Sequence, residues 1–321
     1  MLPSLALQLA VEQTGPDEFS ANCPPVRMGN SAPIAYGGSV QGVAVNAACA
    51  TVPSTHKLYS LVGHFLGPTS LETVLCCKVT RTRDTKSFAT RRVELSQVQK
   101  DGKLRVVMEA IADFHVVEPA MLEYSARPTI SYSSVNASAV TKDAHQSLID
   151  AGVASPQQAQ LSSTSFAATD HFFDTRLPPE SLSVQNINGI VKGVVSPQNK
   201  LPITDRSSGE WYRVKGSLDS ESDHLSCLAF LMDGGLSFLP LAHSHLWIGE
   251  AGPCSSLDFA LRIFTPNVNL KEWNFKERVT VTAGFGRNYS EGRIWDESGN
   301  MVASMTQQSI LRPKSEPKAA L

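Results

Sequence analysis

The chain has 321 residues, of which 42% are hydrophobic and 18% charged, and its formal net charge is −2. That length suits two domains of ordinary size, and the apolar fraction is enough for two modest cores. A charge so balanced, with no basic stripe, argues against a nucleic-acid partner; it says little about a small anionic ligand, which needs only a few local cations.

The six cysteines are Cys23, Cys49, Cys76, Cys77, Cys227 and Cys254, and no Cys-x-x-Cys pair occurs among them. A zinc ribbon or thioredoxin-like motif is therefore unsupported, and all six read as reduced thiols of an intracellular protein. Met1 to Pro16 lacks the basic start of a signal peptide, and no apolar run reaches the roughly 18 residues of a membrane span. Asn136-Ala137-Ser138 and Asn288-Tyr289-Ser290 read as chance matches to the glycosylation pattern. The terminal Lys318-Ala319-Ala320-Leu321 lacks the basic middle residue of a peroxisomal Ser-Lys-Leu address. The cytoplasm is the expected compartment, with the peroxisome as the alternative.

In chain order, Tyr36 to Val52 reads as a helix rich in Ala and Val, opening with Gly37-Gly38 and buried on most sides. Three strand-like runs follow at Thr73 to Thr82, Ser87 to Gln99 and Lys103 to Val116. Asp101-Gly102 between the last two is a hairpin signal. Ala126 to Thr169 is rich in Ser, Ala, Thr and Gln and reads mostly as a linker, with a short helix at Thr141 to Ala151. Asp223 to Phe238 reads as a second apolar helix, ending or bending near Gly234-Gly235. Strand-like runs follow again at Arg278 to Phe285, Tyr289 to Asp296 and Asn300 to Leu311. Both halves therefore run helix, then antiparallel meander. The expected class is α+β, a tandem pair with each half a long helix wrapped by a curved antiparallel sheet. The expected divisions are 1–125, a linker at 126–169, a second domain at 170–313 and a disordered tail at 314–321.

Several short motifs carry a family resemblance. They are Tyr36-Gly37-Gly38-Ser39-Val40-Gln41-Gly42, His64-Phe65-Leu66-Gly67-Pro68 and the hairpin from Arg83 to Val93. Leu239-Pro240 after Asp233, and Val302 to Gln308, complete the set in order. Together they resemble the double-hotdog acyl-CoA thioesterases of the type II, medium-chain group, over roughly residues 30–118 and 205–313. The resemblance implies two hotdog domains, an acyl-CoA or related acyl thioester as substrate, no further cofactor and no metal. It also implies homo-oligomers of such units. Its water-activating residues carry over to Asp233, Ser256 and Gln307. The family's His-Ser-x-Trp after Leu-Asp is here Phe259-Ala260-Leu261-Arg262, a departure that bears on the acyl pocket.

The chemistry is plausible on its own terms. A thioester needs an oriented water, a proton acceptor and donors for the oxyanion. Asp233 can accept a proton, and Ser256 and Gln307 can each hold a water. No covalent nucleophile is required, and Ser39 misses the Gly-x-Ser-x-Gly elbow. Each residue also has a plain structural reading: Gln307 bonded to a neighbouring strand, Asp233 solvated at a helix end, Ser256 an ordinary strand serine. His64 is a candidate for the substrate channel or a packed structural residue. Lys86, Arg91 and Arg92 are candidates for CoA phosphates or solvated hairpin charges. The second functional reading is a hotdog scaffold that binds an acyl thioester or biosynthetic intermediate without hydrolysing it, or performs different chemistry.

Overall fold

The computed structural model describes residues 2–29 and 32–314. The expected disordered tail and the terminal tetrapeptide fall, apart from Lys314, outside the described residues. The chain opens with a short helix α1 (Leu5–Leu9) and a hairpin, β1 (Val11–Gly15) and β2 (Glu18–Ala21). The first long helix is α2 (Gly37–Cys49), followed by β3 (His56–Phe65), β4 (Cys76–Asp84), β5 (Phe88–Val98) and β6 (Leu104–Val116). The middle carries β7 (Ala139–Val140), α3 (Thr141–Asp150), α4 (Pro156–Ser165), α5 (Ala167–Phe172) and β8 (Phe173–Leu177). The second half holds α6 (Leu182–Gln185), β9 (Ser207–Val214), the long helix α7 (Glu221–Asp233) and α8 (Leu239–His243). It ends with β10 (Ala251–Ile263), β11 (Asn274–Gly284), β12 (Arg287–Asp296) and β13 (Met301–Pro313).

All the described strands join one sheet in the order β1-β2-β4-β5-β6-β3-β10-β13-β12-β11-β9-β8-β7. The halves meet where β3 pairs antiparallel with β10, with Leu61 opposite Leu261. From that pair outward the two halves repeat each other: β6 lies beside β3 as β13 lies beside β10. The sheet wraps the helix pair α2 and α7, whose apolar residues, among them Val40, Val43, Leu228 and Phe230, are buried in one shared core. This is the tandem double hotdog the repeat implies.

Glycine sets how closely the two helices pack. A Cβ on Gly38 would lie 2.6 Å from the Phe230 carbonyl oxygen, and one on Gly42 3.0 Å from that of Ser226. Positions four apart share a helix face, so these two glycines open one groove for the partner backbone. At the far end of α2, the fully buried Arg91 donates from Nη2 to the Thr51 carbonyl (3.0 Å) and from Nε to the Thr51 hydroxyl (2.9 Å). Arg91 thus fixes the turn after the helix, and its guanidinium is not available to a ligand. His64 points to the exposed outer face, and Arg92 pairs with Glu109 on the surface.

The second long helix ends at Asp233, at the Gly234-Gly235 pair where an end or bend is expected, and Gly235 adopts φ +89°, a left-handed conformation that favours glycine. One expectation changes. The segment 126–169 is more than a linker. It holds α3, α4 and the edge strand β7, and Thr129 donates its backbone N–H to the Glu277 carboxylate (2.9 Å). Its Ser- and Gln-rich composition hides this structure, since those residues are spent on caps. Ser155 and Gln158 form a reciprocal capping box at the start of α4.

Candidate active site

Asp233 is the last residue of α7 and is 5% exposed. Its helix lies antiparallel to α2, so its carboxylate reaches the opening turn of that helix. There Oδ2 accepts the backbone N–H of Gly38 (3.0 Å) and Oδ1 accepts from Gln41 Nε2 (3.0 Å). Gln307 Nε2 on β13 donates to the same Oδ1 at 2.7 Å. Orphan N–H groups at a helix start favour an anion, so α2 is capped by a carboxylate from the other half of the chain. Gly37 must lack a side chain: a Cβ there would lie 2.9 Å from the Phe65 ring and 3.1 Å from Asp233 Oδ2.

Burial pushes the Asp233 carboxyl above the usual carboxylate range. The Gln307 hydrogen bond, the charge of Lys276 and the bonds from Gly38 and Gln41 pull the other way. Lys276, on β11, caps the end of α7: its Nζ donates to the carbonyls of Leu231 (2.6 Å) and Gly234 (2.8 Å). Burial, aided by the Arg278 charge, lowers its ammonium to about 7 against the opposing effect of Glu210 and Asp233. Gln41 Oε1 is buried without a hydrogen-bond partner, an open acceptor beside the carboxylate.

A cavity of about 350 Å³ opens on Asp233 and is lined also by Tyr36, Gly37, Phe65, Phe238 and Ser256. Ser256 lies opposite Ser309, just before a bulge in β10 that separates it from the Asp258–Gln308 pair. Bulges re-aim side chains, and here Ser255, Ser256 and Leu257 all reach the cavity wall. Asp233 and Gln307 are thus directly bonded, while Ser256 shares the cavity without bonding to either. Phe259 and Arg262 of the departing segment stand off the cavity wall. Phe259 packs beside Phe65 with ring centroids 5.5 Å apart, and Arg262 donates to the Ser60 hydroxyl at 3.1 Å.

The halves are not equivalent at this point. Both long helices have 13 residues, and the one that ends in Asp233 is matched by one that ends in Cys49. Counting outward from Leu61 and Leu261, Ala112 corresponds to Met305, and so Phe114 to Gln307. The polar pair therefore stands at one of two related positions, with Cys49 and Phe114 at the other.

Two family models cover most of the chain. The acyl-CoA thioesterase N-terminal domain matches residues 24–115, and the acyl-CoA thioesterase C-terminal domain matches residues 157–311. The chain belongs to the acyl-CoA thioesterase family. Acyl-coenzyme A thioesterase 8 of Homo sapiens is 23% identical over 283 residues, covering 88% of this chain and 81% of that protein. Acyl-CoA thioesterase 2 of Haemophilus influenzae is 20% identical, covering 86% and 87%. Among solved structures, the acyl-CoA thioesterase II TesB2 of Mycobacterium marinum has a TM-score of 0.68 at 21% identity, covering 97% of this chain and 99% of that one. A tesB protein of Mycobacterium avium subspecies paratuberculosis has a TM-score of 0.69 at 18% identity, covering 96% and 98%.

For this thioesterase-family chain, sequence patterns alone missed part of the site. Gln41 stands three residues after Gly38, one helical turn on, which is the spacing that lets both face the same carboxylate. Lys276 and Arg278 stand two apart on β11 and so share a face, but the charged run Lys276-Glu277-Arg278 gives no sign in the sequence that they are buried. Phe166, which lines the cavity, comes from the segment expected to be linker.

Proposed function

We propose that the chain hydrolyses acyl-CoA thioesters to the free acid and CoA. The observation that carries this reading is the buried Asp233 carboxylate, held by Gly38, Gln41 and Gln307, opening on a cavity shared with Ser256. Asp233 takes a proton from a water held against it by the Ser256 hydroxyl as the water oxygen attacks the thioester carbonyl. Gln307 and Gln41 fix the carboxylate in one orientation. The tetrahedral intermediate then collapses, the C–S bond breaks, and the thiolate leaves with the proton returned from Asp233. No cofactor enters this scheme. Substrate groups are held by the cavity walls, and chain length follows from its depth.

Asp233, Ser256, Gln307, Gly38 and Gln41 come from both halves of one chain. No helix among the described residues is long and apolar enough to cross a membrane.

The test is release of CoA thiol from a panel of acyl-CoAs, short to long, branched and aromatic. Turnover supports the reading. Tight binding of the panel without turnover would instead favour a scaffold with its chemistry replaced.

A further inference from the structure

Beside the Asp233 cavity lies a second one of about 100 Å³, and the two share Met28, Tyr36, Phe166, Gly235 and Phe238 in their walls. Its lining is apolar at Phe166, Phe173, Phe230 and Leu231. Its wall also includes a polar cluster that the hydrolytic scheme does not use. Arg278, 5% exposed, pairs with the buried Glu210, which also accepts from the Ser183 hydroxyl (2.9 Å) and the Tyr212 hydroxyl (2.5 Å). Glu210 is thereby held by three donors, and Asp170 is a second carboxylate in the wall. Arg278 Nε–H is buried with no hydrogen-bond partner, and so is the hydroxyl of Thr175 in the same wall. Lys276, with two donors spent on carbonyls, brings a second positive group to the lining.

Gly235 makes room for this arrangement. A Cβ there would fall 2.1 Å from Arg278 Nη1, so the glycine pair after Asp233 admits the guanidinium to the wall between the two cavities. A hydrocarbon chain ending here would leave a cationic donor facing methylene groups, which buried polar groups avoid. A chain that is apolar in its middle and bears an oxygen at its far end would match the lining along its length.

We propose that this second cavity takes the distal end of the acyl group, and that the preferred acyl group carries a hydrogen-bond-accepting oxygen there, as a carboxylate or as a neutral carbonyl or hydroxyl. The proposal rests on the acyl-CoA reading and names the substrate class within it. What selects an oxygen acceptor is the unpartnered Arg278 Nε–H beside the unpartnered Thr175 hydroxyl, while the charges of Lys276 and Arg278 are matched in the same wall by the carboxylates Glu210 and Asp170.

The experiment compares chain-length-matched acyl-CoAs on the purified protein: plain, ω-carboxy, ω-oxo and ω-hydroxy, from six to twelve carbons. At one length or more, an oxygenated member should exceed its plain partner in kcat/KM by about tenfold or more, since a site built to bond a polar group discriminates against its absence. A carboxylate preference identifies a charged terminus, and a preference for the oxo or hydroxy member a neutral one. Arg278→Lys, which keeps the charge and loses the Nε donor, should bring that ratio towards one. Because changing a buried ion pair can disturb folding, the wild-type ratio is the primary readout. Non-hydrolysable thioether analogues of the same pairs, titrated by calorimetry, separate this proposal from the hydrolytic one. If no acyl-CoA is cleaved but the oxygenated thioether still binds about tenfold tighter, hydrolysis fails and the ligand class stands. Equal affinity within each pair, preference for the plain member, or no binding of either overturns the proposal.

Discussion

A carboxylate on the last residue of a helix faces the negative end of its own helix dipole, an unfavourable place unless something offsets it. At Asp233 the offset comes from two sides: the N–H of Gly38 at the positive end of α2, and Lys276 on the last carbonyls of α7. Asp233→Asn should lower turnover at least about 100-fold, the scale of a lost general base, with circular dichroism unchanged. Full activity in that variant would remove Asp233 from the chemistry. Burial raises this carboxyl, so its ionised form appears only above the 3.8 of an unperturbed aspartate. The acidic limb of kcat/KM should therefore lie above that value. Lys276 is charged below about 7 and favours the ionised carboxylate, so Lys276→Met should move the limb to still higher pH. A limb that stayed put or moved down would disconnect the two groups. For folding the sign is the reverse of the usual salt-bridged aspartate: the contribution is full below pH 3.8 and is lost as pH rises through the raised value. Asp233 and Gln307 were singled out through the motif resemblance, and the fold adds that the two side chains bond to each other. Gln41 was quoted within a motif without a role, since nothing in the sequence says which residue of the other half its turn will face. Glu210 and Lys276 lie outside every run that periodicity picked out.

At the scale of elements, the close approach of α2 and α7 is what brings the Gly38 N–H to Asp233. Gly38→Ala would press a methyl against the Phe230 carbonyl, and overpacking of this kind costs about 1–3 kcal/mol. Urea unfolding should show that loss, together with reduced turnover, because the helix cannot shift without moving the carboxylate's donor. Unchanged stability would mean the helices part freely. The two helices and the three-stranded meander after each were readable from apolar runs and turn residues, with Gly102 (φ +81°) and Gly299 (φ +84°) marking the turns. The strands β1, β2, β8 and β9 were not: the first three run for only four or five residues, and β9 is buried at almost every position, so neither length nor alternation marks them. The segment 126–169 was misjudged for a different reason. Some of its hydrogen bonds run to residues more than a hundred positions away, such as Glu277, and composition does not report them.

Across the whole molecule, the joined sheet and shared helix core tie the halves into one unit. Unfolding should show a single transition, with both halves lost together. The stretch from Val117 to Arg127 is exposed, with Met121 97% and Tyr124 90% accessible. A protease cut there should leave both fragments associated and thiol release retained, since no site residue depends on that connection. Loss of activity on cutting would show that the crossing holds the halves in register. The difference between Asp233 with Gln307 and Cys49 with Phe114 has a further consequence. Two identical subunits must carry the same residues at both related positions, so a change that improves one site is copied into the other. A single chain escapes that constraint: one position can hold sulfur and an aromatic ring while the other holds a hydrogen-bonded acid. Ligand titrations should accordingly saturate at one equivalent per chain.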